Sequence, residues 1–182
     1  MGFPGTLLAW ILLPLWLLKA FALKIRRFQL GFSTRHRWFD EVDPAIVVGG
    51  ALFPGDLEAL RAIGVGAILS LCAEYLDDEA ACAAAGVTAL RIPVHDDLGM
   101  RGEDLVAALD WIDARVAEKR KVYVHCAAGR GRSVAVVCGW LVRARGLGTD
   151  EAVARIKAVR PAAGPRSWQL APVRALEARL RG

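Results

Sequence analysis

An α/β fold is what this chain of 182 residues predicts: a mostly parallel central sheet flanked by helices, preceded by an N-terminal membrane helix. Three observations carry that expectation. Short runs rich in β-branched residues, such as "AIVV", "AILSL" and "KVYVH", alternate along the chain with stretches of helical periodicity,. Those runs are apolar almost throughout, as strands covered on both faces are. Ahead of them stands "FPGTLLAWILLPLWLL", Phe3 to Leu18, without a charge.

The first segment is read from length and charge. Lys19 interrupts the apolar run and "AFAL" continues it to Leu23. With Lys19 reaching for the headgroups, residues 3–23 just cross a ~30 Å hydrocarbon layer. Residues 1–39 hold six basic residues and no acidic one, whereas the remaining chain holds 18 basic and 19 acidic residues. The whole net charge of +5 therefore lies beside the apolar segment. This asymmetry predicts a membrane anchor over residues 1–23, a basic juxtamembrane linker over 24–37, and a folded domain over 38–182 on the cytoplasmic side. The linker also favours an anionic lipid surface. Two alternatives stand beside the anchor: a helix lying in the membrane interface, and a signal peptide cleaved after "AFA". The basic stretch adjoins an anchor and carries no recognition motif, which argues against nucleic-acid binding.

Within the domain, "AIVV" and "ALF" are strand candidates split by Gly49-Gly50,. Asp56 is positioned as the N-cap of "LEALRAI", and Gly64 as its stop. "AILSL" (67–71) is a buried strand, "DEAACAAA" a short helix closed by Gly86, and "VTALRIPV" the next strand. Leu105, Leu109, Ile112 and Val116 recur at helical spacing,. "KVYVH" is a strand, and "SVAVVCGWLVRA" a helix apolar on every side, hence central. Thr149 is a cap for a helix that must end before Pro161, and a last helix follows Pro172. Trp38, Trp111, Trp140 and Trp168 are expected to pack in the core.

The chemistry gathers in "HCAAGRGRS", residues 125–133, between a strand and the central helix. In such sheets ligands sit at the carboxyl ends of strands. Backbone N–H groups from Ala127 to Gly131 converge at the helix N-terminus, an anion site assisted by the helix dipole. Gly129 and Gly131 allow a tight path and close approach to a ligand. Arg132 grips two oxygens of a phosphate in a fork. The same positive field favours a thiolate at Cys126, a nucleophile aimed at phosphorus. No nucleotide-binding G-x-x-x-x-G-K-[ST] is present, and the four cysteines lack zinc-ligand spacing, so the reaction requires neither metal nor cofactor.

This C-x5-R-S loop resembles the signature of cysteine-dependent phosphatases of the dual-specificity branch, and the resemblance runs over about residues 38–177. "WFDEVDPAIVVGGALFPGD", "LCAEY" and "IPVHDD" are similar to the mitochondrial-type subgroup, whose known lipid substrate is phosphatidylglycerophosphate. The resemblance implies the cysteine-dependent phosphatase fold. It implies Cys126 as nucleophile, Arg132 as the phosphate-binding arginine, Ser133 as the hydroxyl that stabilises the departing thiolate, and His125 as the residue that orders the loop. It also implies an Asp proton donor after the preceding strand. "PVHDDLGM" offers Asp96 and Asp97, of which Asp96, nearer the strand end, is favoured,. The loop departs from the pattern where Ala127 replaces a frequent Lys and Gly131 a frequent Ser. Arg130 is the candidate that restores the charge. Cys72 ends "AILSL" as Cys126 follows "KVYVH", and parallel neighbouring strands would bring both thiols to one edge as a possible disulfide pair. The sequence thus predicts a membrane-tethered phosphatase acting on a phospholipid headgroup. A protein-tyrosine or dual-specificity protein phosphatase is the alternative, and a phosphate-binding adaptor with little turnover a further one.

Overall fold

The computed structural model describes residues 38–53, 55–96 and 98–182. From Phe39 onward the elements are β1 (Phe39–Asp43), β2 (Ile46–Gly49), α1 (Asp56–Ala62), β3 (Val65–Cys72), α2 (Glu79–Ala84) and β4 (Thr88–Val94). They continue with α3 (Gly102–Ala117), β5 (Lys121–His125), α4 (Arg132–Arg145), α5 (Thr149–Val159) and α6 (Ser167–Arg181). The strands form one sheet in the order β1-β2-β5-β3-β4. β2, β5, β3 and β4 are parallel, and β1 is antiparallel to β2 at one edge.

Strand periodicity sorts the core into two layers. Ile46, Val48, Leu69, Leu71, Val122 and Val124 point to one side, where they pack with α3, α4, α5 and α6. Val47, Ile68 and Tyr123 point to the other, against Leu60 of α1 and Cys82 of α2. The helix predicted as central is so: α4 is buried from Arg132 to Val142. A side chain at Gly139 would meet Leu105 Cδ1 at 3.2 Å, so glycine sets the approach of α4 to α3.

Several boundaries differ from the sequence expectation. "ALF" is not a strand: Ala51 N–H donates to the Ala127 carbonyl at 3.0 Å, and the chain leaves the sheet to brace the 126–131 loop. "FDEVD", too polar to be read as a strand, forms β1. Gly55, not Asp56, is the N-cap of α1; Asp56 is its first residue and accepts from the Phe53 N–H at 2.9 Å. Gly148 rather than Thr149 precedes α5, and the Thr149 hydroxyl donates to Glu177 on α6. The last helix begins at Ser167 and runs through Pro172, whose sixth position there costs one backbone hydrogen bond,. Trp140 is buried as expected and donates to Asp113 at 2.8 Å, but Trp168 is 42% exposed. Among the described residues no helix is long and apolar enough to cross a membrane. The anchor and linker expected over residues 1–37 lie outside the described residues.

Candidate active site

Parallel pairing carries the loops after β2, β3, β4 and β5 to one end of the sheet, and the site is assembled from them. The 126–131 loop leads from β5 into α4. Gly129 holds φ at 65°, a left-handed value that favours glycine,. A side chain there would also collide with the Gly49 backbone and approach Arg160 Nη2 at 2.7 Å. Cys126 N–H donates to the Gly49 carbonyl at 3.4 Å, so β2 grips the loop at its first residue.

Cys126 is buried, and its Sγ lies 3.3 Å from Ser133 Oγ in the first turn of α4. Ser133 Oγ also donates to the Gly49 carbonyl at 3.5 Å. At 3.3 Å the Ser133 hydroxyl can donate to a Cys126 thiolate or accept weakly from its thiol S–H,. His125 is fully buried with Nε2 2.8 Å from Asp77 Oδ2, and it stacks on Tyr123 at 5.3 Å between centroids. Tyr123 in turn donates to the Gly50 carbonyl. Burial pushes the Tyr123 hydroxyl well above its ordinary range, so it remains a donor.

Arg132 is buried with most of its fork already engaged. Its Nη1 donates to Glu74 Oε2 at 2.8 Å and to the Val94 carbonyl at 2.7 Å, and its Nη2 to Glu74 Oε1 at 2.6 Å. Burial opposes ionisation at Glu74, but the Arg132 hydrogen bonds and charge outweigh it and hold that carboxyl below the ordinary glutamate value. Asp96 Oδ1 lies 3.0 Å from Arg132 Nε, yet off the line of the N–H, which keeps no hydrogen-bond partner among the described residues. One edge of the fork is thus fixed by Glu74 and the other, among the described residues, faces an exposed carboxylate, the arrangement a phosphate can enter,. Asp97, the alternative acid, is outside the described residues.

The structure brings Cys126, Ser133, His125, Arg132 and Asp96 to one end of the sheet, as the motif and the strand ends imply. Arg130 is exposed, and its Nε donates to the Ala162 carbonyl at 3.0 Å, in the turn after α5. β3 and β5 are parallel neighbours, with Ser70 opposite His125, so Cys72 and Cys126 share an edge. Both thiols are free and buried; burial, then nearby Cys126, pushes the Cys72 thiol far up.

Other contributors were not read from the sequence. Arg160 is buried, donates to the Gly129 carbonyl at 2.7 Å and the Ala128 carbonyl at 3.2 Å, and pairs with Asp40 Oδ2 at 2.6 Å. Gln169, in the first turn of α6, covers Gly131: a side chain there would meet its Oε1 at 2.7 Å. Gly131, at the position where the resembled subgroup frequently has Ser, leaves room for this amide arriving from another helix. Glu74 and Asp77 follow β3, at a strand end where the ligand rule for parallel sheets applies,. Nothing local marks Arg160 or Asp40.

The model of the dual specificity phosphatase catalytic domain matches residues 56–178. The chain belongs to this family. It is a cysteine-dependent hydrolase of phosphate monoesters. Phosphatidylglycerophosphate phosphatase PTPMT2 of Arabidopsis thaliana is 30% identical over 138 residues, 74% of this chain and 60% of that protein, so the match spans less than two thirds of that relative. Dual specificity phosphatase 28 of Mus musculus is 35% identical over 131 residues, 70% of this chain and 76% of that one. The crystal structure of Tk-PTP in the active form superposes with a TM-score of 0.72 at 28% identity, over 78% of this chain and 97% of that chain. PTPMT1 in complex with PI(5)P gives 0.74 at 22% identity, over 79% and 97%, a likeness of fold. The phosphatase therefore carries the family loop on the family scaffold.

Proposed function

We propose that this phosphatase is tethered to a membrane by residues 3–23, with its catalytic domain on the cytoplasmic side, and hydrolyses a phospholipid headgroup monoester such as phosphatidylglycerophosphate. The observation that carries the reading is the confinement of the net positive charge to the residues flanking an uncharged apolar run. The likeness to a plant phosphatidylglycerophosphate phosphatase supports it.

The geometry supports a two-step route. The substrate phosphate enters against the Nε edge of Arg132 and displaces Asp96 from it. Cys126 attacks phosphorus; the S–P bond forms as the ester P–O bond breaks, and protonated Asp96 gives its proton to the leaving alkoxide. Asp96, now a carboxylate, takes a proton from water, whose oxygen attacks phosphorus. The S–P bond breaks, and Ser133 steadies the returning thiolate. Glu74 keeps the fork oriented through both steps.

Similarity to dual specificity phosphatase 28 favours a second reading, a phosphoprotein substrate. Turnover of the full-length enzyme in anionic vesicles separates the two. The lipid reading expects a higher kcat/KM on phosphatidylglycerophosphate than on a phosphotyrosine peptide. A preference for the peptide on the same vesicles would establish the alternative.

A further inference from the structure

The mouth of the site has two sides of different chemistry. On the β3 side Leu76 is 76% exposed, but it lines a hollow with the carboxylates of Glu58, Asp77 and Asp78 against one cation, Arg61. On the other side, hydrogen bonds and close contacts tie one continuous rim together. Arg130 Nε reaches the Ala162 carbonyl, and Gly164 N–H donates to the Arg130 carbonyl at 2.8 Å. Arg166 follows, its guanidinium 4.9 Å from the centre of the Trp168 ring. Gly99 comes so close to the first turn of α6 that a side chain on it would meet the Trp168 carbonyl at 2.9 Å. Pro172, four residues on, has no N–H to give that carbonyl,. Beside Gly99, Leu98 is 60% exposed and lines the hollow that also contains Arg132 and Gln169.

The charges on this rim do not cancel. Arg101 already pairs with Glu103 at 2.7 Å and Asp104 at 2.9 Å, and Asp96 faces Arg132. No described carboxylate lies within ion-pair distance of Arg130 or Arg166. An exposed Trp beside an unpaired Arg, next to an exposed Leu, is the composition that settles at the headgroup level of a bilayer, rings and methyls inward and guanidinium at the phosphates.

We infer that the rim Arg130–Arg166–Trp168–Leu98 is an interfacial docking surface that seats the catalytic mouth on an anionic phospholipid bilayer. None of the rim residues belongs to the proposed anchor, residues 3–23; in this reading the anchor keeps the domain near the membrane and the rim sets which way its mouth faces. Leu98 lines the hollow beside Arg132, so a headgroup rising from a seated bilayer meets the phosphate loop without crossing bulk water. The inference rests on the lipid reading above for its biological use, but not for the binding itself.

The test uses the full chain reconstituted in vesicles of phosphatidylcholine alone or with phosphatidylglycerol, read by amide hydrogen exchange and by turnover. Residues 98–101 and 162–168 should exchange more slowly on the anionic vesicles. The double variant Arg166→Gln, Trp168→Ala should lose that difference and turn over phosphatidylglycerophosphate in vesicles roughly tenfold less efficiently. Its hydrolysis of soluble p-nitrophenyl phosphate should be unchanged, which shows that it is folded. Equal exchange on both vesicles overturns the inference. So does a variant that retains vesicle protection and is slowed only on phosphopeptides, since the surface would then receive a protein. Protection on anionic vesicles with no lipid turnover by the unaltered enzyme would leave the docking surface standing and remove the lipid substrate.

Discussion

Arg132 and Arg160 are both buried and both paired with a carboxylate; one directly follows the 126–131 loop and the other hydrogen-bonds it, yet their surroundings differ in kind. The Arg160 guanidinium is spent on the protein: two loop carbonyls and Asp40 take its three nitrogens. Arg132 gives its terminal nitrogens to Glu74 and strand-end carbonyls and keeps Nε–H without a hydrogen bond. A fully satisfied buried cation is a structural strut, whereas one with an orphan donor in a cleft has been left room for a ligand. The difference separates the residue that shapes the phosphate loop from the one that receives the phosphate.

Breaking the comparison at Arg132 should have the largest effect. Arg132→Lys retains the charge but loses the fork, and is expected to lower kcat/KM by roughly 10³-fold, the scale of losing an aligned donor to a charged transition state. Its urea midpoint should move little compared with that of Arg160→Ala. The latter leaves the half-buried Asp40 and two loop carbonyls without their donor and should destabilise the domain by about 2 kcal/mol,. Kinetics and urea denaturation of both variants check this; a stability loss at Arg132→Lys equal to that at Arg160→Ala would erase the distinction.

A smaller effect sharpens it through pH. Glu74 has its folded carboxyl below the ordinary value of 4.5 because of Arg132. Such a group contributes stability that is complete above the ordinary value and is lost as pH falls through the lower folded one. Glu74→Gln should therefore be less stable than the native chain at neutral pH, with the gap closing in acid. Denaturation midpoints across that range measure it, and a gap that widens in acid would mean that Glu74 is not held by Arg132 in solution.

The loop itself was legible because its chemistry is contiguous: Cys126, the glycines, Arg132 and Ser133 are presented by one strand-to-helix turn. The parallel sheet was legible from "AIVV", "AILSL" and "KVYVH", whose apolar runs need cover on two faces. What was missed is held across long sequence distances. Asp40 and Arg160 are 120 residues apart, and His125 and Asp77 are 48 apart. No periodicity records such pairs. β1 was missed because "FDEVD" is an edge strand whose charges serve partners elsewhere, Glu41 with Lys121 and Asp43 with Arg145. α6 was cut short because proline was taken as a start, while the first turns of a helix tolerate it at the loss of one bond.

The central claim is that Cys126 carries the phosphoryl group. With p-nitrophenyl phosphate, a good leaving group, Asp96→Asn should form the intermediate readily and hydrolyse it slowly, because the same carboxyl activates the water. Mass spectrometry of the rapidly quenched variant should then find a phosphoryl adduct on the peptide containing Cys126, absent when Cys126→Ser is added. A phosphoryl group on any other residue, or steady turnover by the Cys126→Ser enzyme, would contradict the account.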